Sequence, residues 1–392
     1  MDPIALDQLT DIDSMLSDDE RLTRDTVRQF VAEKYLPIVG EQFEAHTFPD
    51  HLVPEIAALG LLGAGIKGYG CAGVNAVTYG LILQELEYGD SGLRSFVSVQ
   101  GSLAMYAIYR FGSEAQRQHW LPRMARGEAL GCFGLTEPDS GSDPGAMRTV
   151  ARPDGDAYVL NGSKMWITNS PVCDVAVVWA KLAVDGRQTT VRGFLVERGT
   201  PGFDTPSILR KMSMRASHTG EIVLSDCRIP KENILPESRG LGSPLACLNQ
   251  ARFGVAWGAM GAARACFDSA LDYSRSRVQF GVPIGSKQLI QEHLVDMAVE
   301  IAKGQLMNVH FGRLKDEDRL TPYQVSLAKK NNVRQALAIA RKARSIHGAS
   351  GISLEHAPIR HLLNLESVYT YEGTDEIHTL VLGRALTGLD AF

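Results

Sequence analysis

"DAYVLNGSKMWITNS" occupies residues 156–170 of a 392-residue chain. Branched, aromatic and short polar residues share this stretch, and three segments of similar character follow it. They are "CDVAVVWAKL" (173–182), "TTVRGFLVERG" (189–199) and "GEIVLSDCRI" (220–229). Short runs of this composition, bounded by turn residues, predict strands. A "DG" and the "NG" mark two of the turns between them. No long helical pattern interrupts the series, so a small β-sandwich or barrel fits it better than a parallel sheet.

On either side the periodicity is helical. "DDERLTRDTVRQFVAEKYLPIV", "HLVPEIAALGLLGAG", "AVTYGLILQELEYGD" and "SVQGSLAMYAIYRFG" place apolar residues on one face. "SEAQRQHWLPRMARGE" predicts one more helix, with Pro122 as a candidate break. After Gly240 come "ACLNQARFGVAWGAMGAARACFDSALDYSRSR" and two further segments, of 27 and 26 residues, ending near Gly348. Long helices with short connections predict a bundle. Their wide apolar stripes imply a subunit interface besides an intrachain core. The expected class is α+β: an N-terminal helical domain (1–130), a middle β domain (131–240) and a C-terminal four-helix bundle (241–392).

Composition narrows the function. The net charge is -5, so no broad nucleic-acid footprint is expected. Cysteines at 71, 132, 173, 227, 247 and 266 form no CxxC pair, which argues against a disulfide framework or zinc ribbon and for a reducing compartment. No metal site is expected. No apolar run reaches membrane-spanning length. The acidic opening "MDPIALDQLTDIDSMLSDDERL" resembles neither a signal nor a transit peptide. A bacterial protein would therefore be cytoplasmic, and a mitochondrial matrix location would need a transit peptide not seen here. "GAGIKG" (63–68) fits GxGxxG, but a helical pattern precedes it and "YGCAG" follows, so a helix cap and loop is the preferred reading.

"VYTYEGTDEIHT" (368–379) holds Glu372 just before a helical pattern. Thr370, Thr374 and Asp375 can each cap that helix. Local sequence leaves Glu372 open between a helix-start carboxylate and a catalytic one.

Four segments resemble signatures of the acyl-CoA dehydrogenase family of flavoenzymes: "GCFGLTEPDSGSDP" (131–144), "NGSKMWITNSP" (161–171), "RVQFGVPI" (277–284) and "YEGTDEIHTLVLGRALTG" (371–388). The likeness spans nearly the whole chain. "LRSFVSVQGSLAMYAIYRFGSEAQR", "ACLNQARFGVAWG" and "RHLLNLESVYTYEGTDEIH" are most similar to its glutaryl-CoA dehydrogenase branch.

The resemblance implies FAD as cofactor and Glu372 as the base that takes the α proton of an acyl thioester. It places Phe133, Leu135, Thr136 and Ser142 on the flavin's pyrimidine and pyrophosphate side, and Trp166, Ile167 and Thr168 over one isoalloxazine face. Arg277, Phe280 and Gln288 would reach the adenine and diphosphate half from a neighbouring subunit. Gly348, Thr374 and Glu376 would complete the cofactor set. Ser142, Asn249 and Arg252 match coenzyme A-binding positions, and Gly373 would let the thioester chain approach. Glu87, Arg94, Ser95, Ser98 and Tyr371 match the pocket for a glutaryl carboxylate, where a guanidinium suits the anion bidentately.

"SIHGASG" (345–351) departs from the family pattern of paired glycines. Ala349 and Ser350 stand at the second glycine and asparagine positions, and His347 is also unusual.

The implied reaction is oxidation and decarboxylation of glutaryl-CoA to crotonyl-CoA and CO2, with electron-transfer flavoprotein as acceptor and a homo-oligomer, commonly a tetramer, as the assembly. The rivals are a non-decarboxylating enzyme, an acyl-CoA oxidase and, from another class, an inactive helical assembly protein. Tyr371 and Glu87 favour decarboxylation; the intact Glu372 argues against an inactive protein.

Overall fold

The computed structural model describes residues 4–184 and 187–391. The first part is helical: α1 (Leu6–Thr10), α2 (Asp18–Phe30), α3 (Val39–Ala45), α4 (Val53–Ala58), α5 (Ala76–Gly89), α6 (Ser91–Ser98), α7 (Tyr106–Phe111) and α8 (Glu114–Ala125). Caps explain where these helices begin. The Ser17 hydroxyl accepts from the Glu20 N–H, and Glu20 Oε2 accepts from the Ser17 N–H at 2.9 Å. Asn75 Oδ1 accepts from the Thr78 N–H at 2.7 Å to start α5. Helix α8 continues through Pro122, so the candidate break does not occur. Buried Trp120, Leu121 and Met124 anchor that last turn against the core, and packing outweighs the one lost hydrogen bond. "GAGIKG" is a loop between α4 and α5, with no strand before it.

Helix α6 passes into a π-helical stretch, Val99–Met105, before α7. The buried Gln100 on that stretch joins the helical part to the first strand. Its Nε2 donates to the Ala129 carbonyl at 2.9 Å, and its Oε1 accepts from the Gly131 N–H at 2.7 Å.

The strands are β1 (Gly131–Gly134), β2 (Val150–Asp154), β3 (Ala157–Thr168), β4 (Val175–Val184), β5 (Arg187–Glu197), β6 (Phe203–Asp204) and β7 (Thr219–Pro230). Among the described residues they form one seven-stranded sheet, ordered β1-β4-β2-β3-β7-β6, with β5 also on β4. Its pairings are antiparallel except β1–β4 and β2–β4. The sheet curls over its own core, which includes Leu160, Ala176, Val178, Phe194, Ile222 and Leu224. Alternate residues of β4, Val175, Val177 and Trp179, pack the other face onto Ile108, Phe111 and Leu121. Both faces of β4 are buried, and its sequence is accordingly almost wholly apolar.

The turn expected at "NG" is absent. Asn161 and Gly162 lie inside β3 at a bulge opposite β7, where Gly162 takes φ 145 and a Cβ would come within 2.5 Å of Thr149 Oγ1. Gly155 and Asp156 make the actual β2–β3 turn, at the first "DG". The second, at 185–186, lies outside the described residues.

The last part holds α9 (Gly242–Ser276), a hairpin of β8 (Val278–Gln279) and β9 (Val282–Pro283), α10 (Gln288–Asp316), α11 (Pro322–Ile346), α12 (Ala357–Thr370) and α13 (Asp375–Thr387). Helices α9 to α12 surround a shared core that includes Met260, Ile301, Val333, Ala340 and Leu365. No helix among the described residues is long and apolar enough to cross a membrane.

The small residues of α9 bring it against α5. A Cβ on Gly254 would lie 2.2 Å from Leu83, one on Gly258 would lie 1.9 Å from Glu87 Oε2, and one on Gly261 would lie 1.9 Å from the Gln84 carbonyl. The α5–α9 seam therefore excludes even a methyl group at three successive turns. Gly258→Ala gains helix propensity of about 1 kcal/mol but must displace a buried carboxylate, and overpacking costs about 1–3 kcal/mol. The variant is expected to melt at a lower temperature than the wild type, as read by thermal unfolding; an unchanged or higher melting temperature would contradict this packing.

Candidate active site

The turn between α12 and α13 is unusual in its backbone. The Tyr371 N–H still bonds the Ser367 carbonyl at 2.8 Å, closing α12. Glu372 then takes φ 53 and Gly373 φ 90. Glycine adopts that region freely, whereas a side chain there costs about 1–2 kcal/mol. At Gly373 a Cβ would also approach His378 Nε2 to 2.8 Å and Arg252 to 3.3 Å. Thr374 caps α13, its hydroxyl accepting from the Ile377 N–H at 3.2 Å. Of the candidate caps, Thr374 fills the role and Glu372 stands outside the helix.

Two cations hold this turn by its carbonyl oxygens. Lys329 of α11, 1% exposed, donates from Nζ to the carbonyls of Gly373 (2.7 Å), Tyr371 (3.0 Å) and Tyr369 (3.5 Å). Arg252 Nε donates to the Glu372 carbonyl at 2.7 Å. The C-terminal carbonyls of a helix lack partners of their own, and these cations supply them.

The Glu372 Oε2 atom is buried and has no hydrogen-bond partner. Burial raises the pKa of this carboxyl above its ordinary value, although Arg94, Arg252 and Lys329 draw it down. A carboxylate with a raised pKa and an uncommitted oxygen is equipped to accept a proton.

Beside it lies a buried polar cluster built from α5, α6 and the turn. Arg94 Nε donates to Glu87 Oε2 at 2.6 Å, and neither side chain is more than 1% exposed. Ser91 Oγ donates to the other Glu87 oxygen at 2.7 Å. Arg94 also bonds the Tyr371 hydroxyl, which lies 3.4 Å from Ser95 Oγ. Burial opposes the charge on Arg94, but Glu87 and Tyr371 more than compensate and its pKa is raised. Burial pushes the Tyr371 hydroxyl up to about 12, so it stays protonated. Ser98 is fully buried on the same helix, 3.1 Å from Ser102 Oγ.

The structure thus brings Glu87, Arg94, Ser95, Tyr371, Glu372, Gly373 and Arg252 together. Asn249 lies one turn before Arg252 on α9 and is half-buried. Lys329 and the fully buried His378 were not among the expected residues. No motif surrounds Lys329 in "SLAKKNN"; only its position across the bundle reveals it.

A second cluster lies on the sheet. Phe133 and Leu135 are buried between sheet and helices, so their side chains serve the core; Ser142 is exposed. The loop after β1 is tied down by Glu137, which sequence reading missed. Its carboxylate accepts from the Arg148 and Thr149 N–H groups at 2.6 and 3.0 Å and from Lys164 Nζ at 2.8 Å. Lys164 Nζ also donates to the Leu135 carbonyl at 3.1 Å. The Met165 N–H bonds the Thr136 carbonyl at 2.9 Å, which aligns this loop with β3. One residue on, a bulge turns Trp166 outward with φ 62 and 57% exposure, while Ile167 is buried and Thr168 half-buried. An aromatic residue with positive φ and more than half exposed is uncommon and suits a planar ligand.

Arg277, Phe280 and Gln288 stand elsewhere, exposed on the β8–β9 hairpin and the start of α10, with Phe280 94% exposed. Glu376 is exposed on the first turn of α13. Gly348 takes φ 58 with open space where a Cβ would be. The departing His347 is buried: Nδ1 lies 2.8 Å from the Ala343 carbonyl, Nε2 3.0 Å from Ser269 Oγ, and the ring stacks on Tyr273. It anchors the 348–352 turn to α9.

The geometry combines a desolvated carboxylate, buried guanidinium groups beside it and, apart from them on the sheet, an outward-facing aromatic residue. Models of the acyl-CoA dehydrogenase N-terminal, middle and C-terminal domains match residues 17–128, 132–227 and 238–387. A glutaryl-CoA dehydrogenase from Mycobacterium smegmatis, solved in complex with FADH2, is 54% identical over all of both chains with a TM-score of 0.97. A glutaryl-CoA dehydrogenase solved with glutaryl-CoA is 33% identical, covering 95% of this chain and 96% of that one, TM-score 0.90. The mitochondrial short-chain specific acyl-CoA dehydrogenase of Rattus norvegicus is 35% identical over 94% of this chain and 90% of its own. The chain belongs to the acyl-CoA dehydrogenase family, and it is an FAD-dependent acyl-CoA dehydrogenase. The outward Trp166, the exposed Gly141 and Ser142 and the open Gly348 fit that cofactor.

Glu137→Gln removes the anion that satisfies Lys164. Breaking a buried pair costs about 3–5 kcal/mol. The variant is expected to melt several degrees lower and to shed FAD on gel filtration. Wild-type melting and full FAD content would show that this pair does not organise the loop.

Proposed function

We propose that the protein oxidises and decarboxylates glutaryl-CoA to crotonyl-CoA and CO2. The observation that carries this reading is the fully buried Arg94, bonded to Tyr371 immediately before the unpartnered Glu372 carboxylate. A short unbranched acyl chain needs an apolar pocket end; a buried guanidinium flanked by hydroxyls suits a chain ending in an anion.

Glu372 takes the α proton. Bound FAD supplies the acceptor for the β hydride, which no side chain can be. Trp166, Ile167 and Thr168 would hold its ring, the 133–142 segment and Gly348 would hold its polar portion, and Thr374 and Glu376, at the N-terminus of α13, would complete the set. Arg277, Phe280 and Gln288 would belong to a neighbouring subunit's cofactor site. Asn249, Arg252 and Ser142 would contact the coenzyme A portion. The Glu372 N–H, with Gly373 leaving room for the chain, would polarise the thioester oxygen.

The glutaconyl thioester then loses its distal carboxylate as CO2, the electron pair passing into the thioester dienolate. Protonated Glu372 returns its proton at the far carbon, giving the crotonyl thioester. Retention of both Tyr371 and Glu87 around Arg94 favours this outcome over arrest at glutaconyl-CoA. Electron-transfer flavoprotein is the proposed acceptor, on the family resemblance. A homo-oligomer, proposed as a tetramer, would cover the exposed Leu289, Val295 and Val299 of α10.

Two measurements check the assignment. Glu372→Gln keeps the shape of the side chain and cannot accept a proton, so flavin bleaching in stopped flow should slow at least about 10²-fold. Near-normal bleaching would remove Glu372 as the base. Arg94→Met should lower kcat/KM for glutaryl-CoA far more than for butyryl-CoA. Loss of a buried ion pair costs about 3–5 kcal/mol. Equal losses, or a wild-type preference for butyryl-CoA, would make the protein a short-chain enzyme instead.

A further inference from the structure

Glu372 is held in a backbone conformation that a glutamate resists, and the restraint comes from Lys329 together with Arg252. The Lys329 Nζ lies within hydrogen-bonding distance of the carbonyls of Tyr369, Tyr371 and Gly373. The Tyr371 carbonyl lies in the peptide unit that precedes Glu372, and the Gly373 carbonyl lies one unit beyond the Glu372–Gly373 peptide. The Lys329 ammonium thereby holds the peptide unit before Glu372 and the one after Gly373, while Arg252 holds the unit between them, and the two cations together fix the φ of 53 at Glu372. Arg252 fixes the remaining carbonyl, that of Glu372 itself, from a different helix.

We propose that Lys329 is a positioning residue of the catalytic turn: its ammonium group sets the conformation of Glu372 together with Arg252 and places a positive charge behind the carboxylate. This rests on the reading of Glu372 as base.

The charged and titratable groups around Lys329 come from several elements: Glu372 on the turn, Arg252 on α9, Arg94 on α6, and Asp375 and His378 on α13. Burial pushes Lys329 down to about 7, with Glu372 opposing that shift. His378, desolvated among these cations, is held neutral with its pKa pushed down to about 3. Lys329 lowers the pKa of Glu372. With the ammonium 3.0 and 2.7 Å from the Tyr371 and Gly373 carbonyls of the same turn, removing its charge is expected to raise the Glu372 pKa and move the acid limb of its pH profile to higher pH.

The test uses FAD-loaded Lys329→Met, Lys329→Gln and Glu372→Gln enzymes, each with stated FAD content and melting temperature. Flavin bleaching is followed across pH with whichever of glutaryl-CoA and butyryl-CoA reduces the wild type faster. Lys329→Met loses donor and charge and should bleach about 10-fold or more slowly, since a small misplacement of a catalytic group costs that much. Its acid limb should shift upward. Lys329→Gln keeps a donor for the carbonyls; it should recover most of the rate at high pH while keeping the upward shift. An unmoved or downward-moved limb in either variant overturns the proposal, as does a wild-type rate in Lys329→Met. If Lys329→Met does not fold, the limb of Lys329→Gln decides alone. Wild-type bleaching by Glu372→Gln overturns the base assignment itself, whatever the Lys329 variants do.

Discussion

The buried ion pair between Glu87 and Arg94 constrains most of what surrounds it. Two full charges lie between α5, α6 and α9, and removing either partner would leave the other uncompensated. The pair requires glycine at position 258, because any side chain there would occupy the Glu87 carboxylate's place. That glycine in turn brings α9 close to α5, which positions Arg252 beside the turn that carries Glu372. One electrostatic contact thus fixes a helix seam, and the seam fixes the site.

Charge at the site also suits its proposed substrate. Arg94, Arg252 and Lys329 face Glu87 and Glu372. Three cations against two carboxylates leave one positive charge when Glu372 is ionised and Lys329, which burial pushes down to about 7, is protonated. A substrate ending in a carboxylate would balance it, whereas a plain acyl chain would leave it buried and unmatched. Burial keeps Glu372 basic, yet the cations prevent desolvation from making it a permanent acid. Both properties are needed by a group that takes a proton at one carbon and returns it at another.

Much of the fold was legible because it depends on local period and composition. The runs from Ala157 to Pro230 alternate or saturate with apolar residues as strands do, and α9 to α11 carry long helical stripes. The "NG" at 161–162 misled because its backbone signal, a glycine free to take positive φ, serves a bulge as well as a turn. The site was legible only where it sits in a contiguous motif, as with Tyr371, Glu372 and Gly373. Arg94 could be related to the pocket through resemblance, but its bond to Tyr371 spans 277 residues of sequence. Lys329 and the Lys164–Glu137 pair were invisible for a related reason. A lysine in a helix or strand reads as solvated surface, and burial against distant carbonyls or a distant carboxylate leaves no mark on its neighbours.

Product analysis of a single turnover bears most directly on the central claim. The FAD-loaded protein is mixed anaerobically with glutaryl-CoA carrying carbon-13 in its free carboxyl group, and flavin bleaching, headspace gas and thioester products are quantified together. The account predicts one labelled CO2 and one unlabelled crotonyl-CoA for each flavin bleached. Bleaching accompanied by labelled glutaconyl-CoA and no labelled gas would contradict decarboxylation, and an absence of bleaching would contradict glutaryl-CoA as the substrate.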